Sequence, residues 1–250
     1  MDDSDIMTKH NRLLTFILLL ALSSSSIASV TISGTRIIYP GQEREVTVDL
    51  KNRNDTPALI QSWIGSGDTK IGPGEEKLPF IVTPPLTRIE PNQGQTLRIA
   101  YTGEPLPNDV ESVFWFNMLE VPPTGKDAKG QNYIQLAYRS QLKFFFRPEG
   151  LTGDPKTEGD NISWSVVQVD KGYVLRGTNK SPFHITIPNV SLSSNSKTYL
   201  NGSGGMIKPK STFDYELEGL SSSVTTGKIT YQWINDFGSI KTSEAKLSAN

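Results

Sequence analysis

The chain has 250 residues, with 25 Lys+Arg against 26 Asp+Glu, no Cys and two His. The absence of Cys excludes disulfides, thiolate zinc sites and a Cys nucleophile. A charge balance this close to zero supplies neither a long-range field for nucleic acid nor a polybasic membrane signal.

Residues 1–28 read as a removable export leader. Lys9 and Arg12 precede an apolar run from Leu13 to Leu22, and Ser26-Ile27-Ala28 places small residues where a signal peptidase reads, so cleavage is expected before Ser29. The run is about 10 residues, short of the roughly 20 that a spanning helix needs. Met7 is a plausible start, because the acidic Met1–Ile6 is unusual in a leader. With the leader removed, the acids lose Asp2, Asp3 and Asp5 and the bases lose Lys9 and Arg12, giving 26 − 3 = 23 against 25 − 2 = 23. His184 is then the only His, so multi-His metal sites are excluded and no cofactor is expected.

Helical periodicity is nearly absent downstream, while alternation at period two recurs between turn signals. Gly34 to Tyr39 forms an N-terminal strand, and Val46, Val48 and Leu50 alternate with polar neighbours. Ala58–Ile64 carries Trp63, then Leu97, Ile99 and Tyr101 alternate with Thr96, Arg98 and Ala100. Val113–Val121 and an unusually long Tyr133–Phe146 complete the first half. This spacing predicts an immunoglobulin-like β-sandwich with a Trp buried on its third strand. A composition break follows Arg147-Pro148, where 149–161 is Gly-, Pro- and Asp-rich. Strand patterns resume at Ile162–Val169, Gly172–Gly177, Phe183–Leu192, Phe213–Leu217 and Lys228–Trp233, with a weak terminal strand. The expected division is a leader at 1–28, a first domain at 29–148 and a second all-β domain at 149–250.

No enzyme signature survives inspection. Gly65-Ser66-Gly67-Asp68-Thr69-Lys70 starts like a dinucleotide loop but ends in Lys with no helix after it, so it reads as a turn. His184 has no acid or hydroxyl at signature spacing and reads as a surface or core residue. Five Asn-x-Ser/Thr sites, at Asn54, Asn161, Asn179, Asn189 and Asn201, are what chance produces in a chain rich in Asn and Ser.

Three features remain. Arg36 stands inside an otherwise apolar N-terminal strand, and Lys143 stands in the aromatic strand Gln141–Pro148. A cation among buried residues either snorkels to solvent or needs a partner. The third is Leu106–Pro122, a dense run of acid, aromatic residues and terminal proline.

Together these features resemble the PapD-like periplasmic pilus chaperones of the chaperone–usher pathway, which are two-domain immunoglobulin-like proteins. Glu111, Ser112, Trp115, Asn117, Met118, Val121 and Pro122 fall where the family's signature asks; Val110 departs from it. Val82–Pro91 and Ile234–Gly238 also resemble family segments, although the family's frequent cysteine pair in the second domain is missing. The short connection between Pro123 and Ile134 resembles the short-loop subfamily.

The resemblance implies two sandwiches set as a boomerang, with no catalysis. Arg36 and Lys143 would bind the terminal carboxylate of a pilus subunit in the cleft between the domains. Ile134, Leu136 and Tyr138 would be a donor row filling the subunit's open groove, with Gln135 and Ala137 facing away. Strict alternation puts Lys143 on the opposite parity from that row, so a bulge or face switch is expected between Tyr138 and Lys143. Arg98, Glu111 and Asp236 would form an ionic cluster between the domains. The implied partners are pilus subunits, an outer-membrane usher and, at rest, a second copy capping the exposed row. The alternative is a secreted carbohydrate-binding sandwich that ignores Arg36 and Lys143. A secreted hydrolase is disfavoured by the single His and the lack of a paired-carboxylate motif.

Overall fold

The computed structural model describes residues 30–121, 123 and 134–247. The described part is almost entirely β and builds two sandwiches, each around its own core.

In the first, β1 (Val30–Ile32), β3 (Glu45–Asn52), β7 (Gly94–Tyr101) and β5 (Phe80–Thr83) lie in that order in one sheet. The facing sheet runs β2 (Arg36–Pro40), β9 (Tyr138–Arg147), β8 (Ser112–Val121), β4 (Ala58–Gly65) and β6 (Leu86–Ile89). Alternation at period two sends Val48, Leu50, Leu97 and Ile99 of the first sheet and Ile60, Phe116, Met118, Phe144 and Phe146 of the second into one core. Tyr39 is fully buried among Phe80, Phe144 and Phe146. Its hydroxyl donates to the Arg44 carbonyl at 2.9 Å and accepts from the Tyr101 amide at 3.1 Å, which satisfies the ring's polar end.

Trp63 is not the core tryptophan that the sequence pattern suggested. On β4 the inward positions are Ala58, Ile60, Ser62 and Ile64, so Trp63 falls on the outer face of the sheet. The strand predicted over Tyr133–Phe146 also starts later, at Tyr138; residues 134–137 are outside any strand, and Tyr133 lies outside the described residues.

One pairing positions the site. β2 runs parallel to β9, and Arg36 faces Lys143 across the pair. β8 lies antiparallel on the other side of β9, with Trp115 facing Lys143 and Ser112 facing Phe146.

The second sandwich joins a sheet of β10 (Ser163–Val169), β11 (Gly172–Asn179) and β15 (Ser211–Tyr215) to a second sheet. That sheet contains β12 (Ile185–Ser194), β13 (Lys197–Asn201), β14 (Gly205–Ile207), β16 (Lys228–Ile234) and β17 (Ile240–Lys246). Trp164, Tyr215, Tyr231 and Trp233 are all at most 1 % exposed and dominate its core. Residue 159 must be glycine, because a Cβ there would stand 2.1 Å from the Trp233 ring.

Candidate functional site

The two cations of the β2–β9 pair share one face and are half-buried between the domains. The Arg36 guanidinium donates through Nη1 to the Ile234 carbonyl at 3.1 Å and lies 5.8 Å from the centre of the Phe145 ring. Its Nε is buried without a hydrogen-bond partner. The Lys143 ammonium donates to the Thr186 hydroxyl at 3.1 Å. Among the described residues, neither cation has a carboxylate within ion-pair distance. Burial lowers both pKa values, and for Lys143 the adjacent Arg36 charge adds to that, pushing it down to about 8. Two desolvated like charges, in register and with donors to spare, make a receptor for an anion of carboxylate shape.

Next to this pair the domains are joined by ions. Arg147 donates from Nε and Nη2 to Glu111 at 3.0 and 2.8 Å, and from Nη1 and Nη2 to Asp236 at 2.7 and 3.0 Å. Burial works against the Arg147 charge, but the hydrogen bonds and charges of Asp236 and Glu111 outweigh it and raise its pKa. The second Glu111 oxygen accepts from the His184 amide at 2.9 Å and faces His184 Nδ1 at 3.0 Å. Glu111 immediately precedes β8 and Arg147 ends β9, whereas His184 and Asp236 belong to the second sandwich.

Arg98 is not part of this cluster. On β7 the inward positions are Leu97 and Ile99, which turns Arg98 outward on the sheet that carries neither Glu111 nor Arg147. Its ion pair is with Glu45 at 4.0 Å, with side chains 61 % and 46 % exposed. The cation at the interface is Arg147, which the sequence reading left out. One signal pointed to it: Lys143, Phe145 and Arg147 alternate along one face up to the break at Pro148. His184 is buried at the interface, a role that nothing in its sequence surroundings indicated.

Ile134, Leu136 and Tyr138 are 89 %, 59 % and 58 % exposed. They lead into β9, where Tyr138 pairs with Glu120. The bulge expected between Tyr138 and Lys143 is absent, because the β8–β9 register runs unbroken from Glu120–Tyr138 to Ser112–Phe146. Tyr138 and Lys143 therefore stay on opposite faces of a regular strand. Among the described residues, β9 has a neighbour between Tyr138 and Leu142 on the β8 side only, since its pairing with β2 starts at Lys143. An edge open at this point can accept another strand.

Two family models match the chain: the pili and flagellar-assembly chaperone PapD N-terminal domain over residues 29–152, and the PapD C-terminal domain over residues 158–245. The chain is similar to the probable fimbrial chaperone YadV of Escherichia coli, 40 % identical over 243 residues that cover 96 % of this chain and 98 % of YadV. The crystal structure of a YadV chaperone superposes with a TM-score of 0.75 at 37 % identity, covering 88 % of this chain and all of that one. A Salmonella enterica chaperone, SafB, solved in complex with the SafA pilin, is similar at a TM-score of 0.72 and 27 % identity, covering 90 % and 99 % of the two chains.

Proposed function

Since the chain belongs to the PapD family of pilus-assembly chaperones, we propose that it grips a pilus subunit at two places, the Arg36–Lys143 pair and the row Ile134, Leu136 and Tyr138. It is a pilus-subunit chaperone acting in the periplasm, and it is not an enzyme. The cationic pair takes the subunit's terminal carboxylate: each cation supplies hydrogen bonds and charge to an anion that replaces lost water. The subunit strand that ends in that carboxylate lies along the open edge of β9. The row fills the groove left by the subunit's missing strand, and backbone hydrogen bonds supply affinity without reading sequence.

Opposite parity of anchor and row suits this arrangement without a bulge. The row enters the subunit's core from one face of β9, while the carboxylate is held on the other face at the end of the added strand. A subunit held this way is handed to an outer-membrane usher and released when an incoming subunit's extension replaces the row. Residues 1–28 act as the export leader, 29–148 as the chaperone domain and 149–250 as the second domain. At rest, a second copy caps the exposed row.

The observation that carries this reading is the register pair of desolvated cations without a carboxylate of their own. The test is recovery of a subunit from periplasm with wild type, Arg36→Ala and Lys143→Ala, each checked for folding. Wild-type recovery by both variants overturns the anchor. A carbohydrate-binding role has no comparable support, because nothing in such a role uses these two cations.

A further inference from the structure

The outer face of the β8–β9 ladder carries a polar network that neither the anchor nor the row uses. Arg139 donates from Nε and Nη2 to the Asn117 side-chain oxygen at 3.1 and 2.9 Å. Its Nη1 donates to the Thr69 carbonyl at 2.7 Å, and the guanidinium stacks 4.8 Å from the centre of the Trp63 ring. Gln141 donates to the same Asn117 oxygen at 2.7 Å, and Asn117 donates to the Trp115 carbonyl at 3.0 Å. Asn117 is fully buried, so its oxygen depends on these donors. One side chain therefore ties β9 to β8, to β4 and to the loop after β4.

That loop is shaped to receive the tie. Gly67 has φ +106°, and a Cβ there would stand 2.8 Å from the Trp115 ring, so the backbone can lie on Trp115 only as glycine. The Asp68 carboxylate accepts from the Lys70 amide at 2.8 Å and turns the chain at Thr69. The segment that resembled a dinucleotide loop in sequence is a cover whose Thr69 carbonyl faces Arg139.

Arg139 also occupies a critical point along the strand. Among the described residues, the Leu119–Arg139 and Glu120–Tyr138 pairs are the last rungs of the ladder, and residues 134–137 precede the strand. Over this stretch β9 has, among the described residues, a sheet neighbour on one side only, and the end of a singly paired strand is where local opening begins.

We propose that Arg139 is a positioning residue, a clasp that holds the root of the donor segment to the sheet and so fixes the register and exit direction of Ile134, Leu136 and Tyr138. The proposal rests on the donor-row reading above. Arg139 lies on the face opposite the row and acts through β9, not by touching the subunit. A guanidinium suits the task, since its planar fork reaches two acceptors while its face stacks on an indole; an ammonium cannot do all three. Holding the strand before the subunit arrives removes the ordering cost from binding.

The test uses the full mature chain and the pilus subunit that copurifies with it, identified by mass spectrometry. In the free protein, Arg139→Met should speed amide exchange across 138–142 by about tenfold or more, the scale set by losing a hydrogen bond to a charged group. Exchange across 144–147, held by β2 as well, should stay at the wild-type rate, and Arg139→Lys should fall between. The subunit should dissociate from Arg139→Met faster by a similar factor.

Leu119→Cys combined with Arg139→Cys supplies a covalent clasp in a protein that has no other Cys, at facing positions whose Cβ atoms lie about 4.5–5.5 Å apart. Oxidised, this variant should retain the subunit like wild type; reduced, it should release it like Arg139→Met. Wild-type exchange in Arg139→Met, or a folded oxidised double variant that still releases the subunit quickly, overturns the clasp. Leu136→Glu judges the underlying reading separately: full retention by that variant removes the donor row, whereas the exchange data in the free protein still decide whether Arg139 holds β9.

Discussion

Arg36 and Lys143 face one another across the only parallel strand pair of the described first sandwich, and each has given up much of its water without a carboxylate at ion-pair distance among the described residues, the more distant Asp236 and Glu111 only partly offsetting burial at Arg36. A parallel pair joins the start of a domain to its end. Here it puts a cation from residue 36 beside one from residue 143, an arrangement that stays unfavourable until an anion arrives.

Arg36→Ala and Lys143→Ala should each weaken subunit binding by about 2–5 kcal/mol, the usual cost of truncating one partner of a desolvated charge pair. Neither should destabilise the free protein, because each removes a like-charge neighbour. Equilibrium binding of the copurified subunit, with denaturant midpoints measured in parallel, checks both statements. A large loss of stability in either variant would mean that the cation is a structural element.

The Lys143 pKa of about 8 sets two opposite pH trends. Its folded value lies below the ordinary 10.5, so between these values the unfolded chain holds more protons. The Lys143 contribution to stability therefore rises with pH from about 8 towards 10.5. Subunit affinity should fall over the same range, because the cation it needs is being lost. Lys143→Met should remove both trends. Melting and binding measured from pH 7 to 10.5, each as wild type minus Lys143→Met, test this, and parallel behaviour of the two proteins would contradict it.

The Glu111–Arg147–Asp236 cluster should behave unlike Arg98. Glu111 is almost fully buried, and its removal leaves the Arg147 charge without a major partner, so Glu111→Ala should destabilise by about 3–5 kcal/mol. Asp236 is more exposed, and solvent screening should reduce the effect of Asp236→Asn to about 1–3 kcal/mol. Arg98→Ala should change stability by about 0–1 kcal/mol, since its pair with Glu45 is long and solvated. Thermal unfolding of the three variants gives the order directly, and an Arg98 effect as large as that of Glu111 would overturn this account.

The strands with strict alternation were legible in sequence, because one face of each is core and period two records it: Val48 and Leu50 on β3, Leu97 and Ile99 on β7. The same rule, applied to Arg98, already turned it away from the interior. Trp63 was misread because a large aromatic ring looks like core, whereas its neighbours Ile60, Ser62 and Ile64 claim the inward positions. Arg147 and His184 could not be placed from local pattern, since their partners lie 89 and 73 residues away in the chain. Such pairs depend on how two domains dock, and no periodicity within one strand encodes that. The Arg36–Lys143 pair lay between these extremes. Each cation stood out singly, but their facing register comes from parallel pairing of strands more than 100 residues apart.

The row itself yields the last prediction. Leu136 is exposed in the free protein, so Leu136→Glu should leave its stability unchanged and raise the monomer fraction by removing apolar surface from a self-capping patch. In a subunit's groove the same carboxylate would be buried without a partner, at a cost of several kcal/mol, and subunit recovery should collapse. Gln135→Glu adds the same charge one residue away, on the face that alternation turns from the groove, and should retain the subunit. Unfolding of free Leu136→Glu would make the row part of this protein's own core. Selective loss of binding in Gln135→Glu would shift the register by one residue, and the working face of β9 would then be the one that carries Arg139 and Lys143.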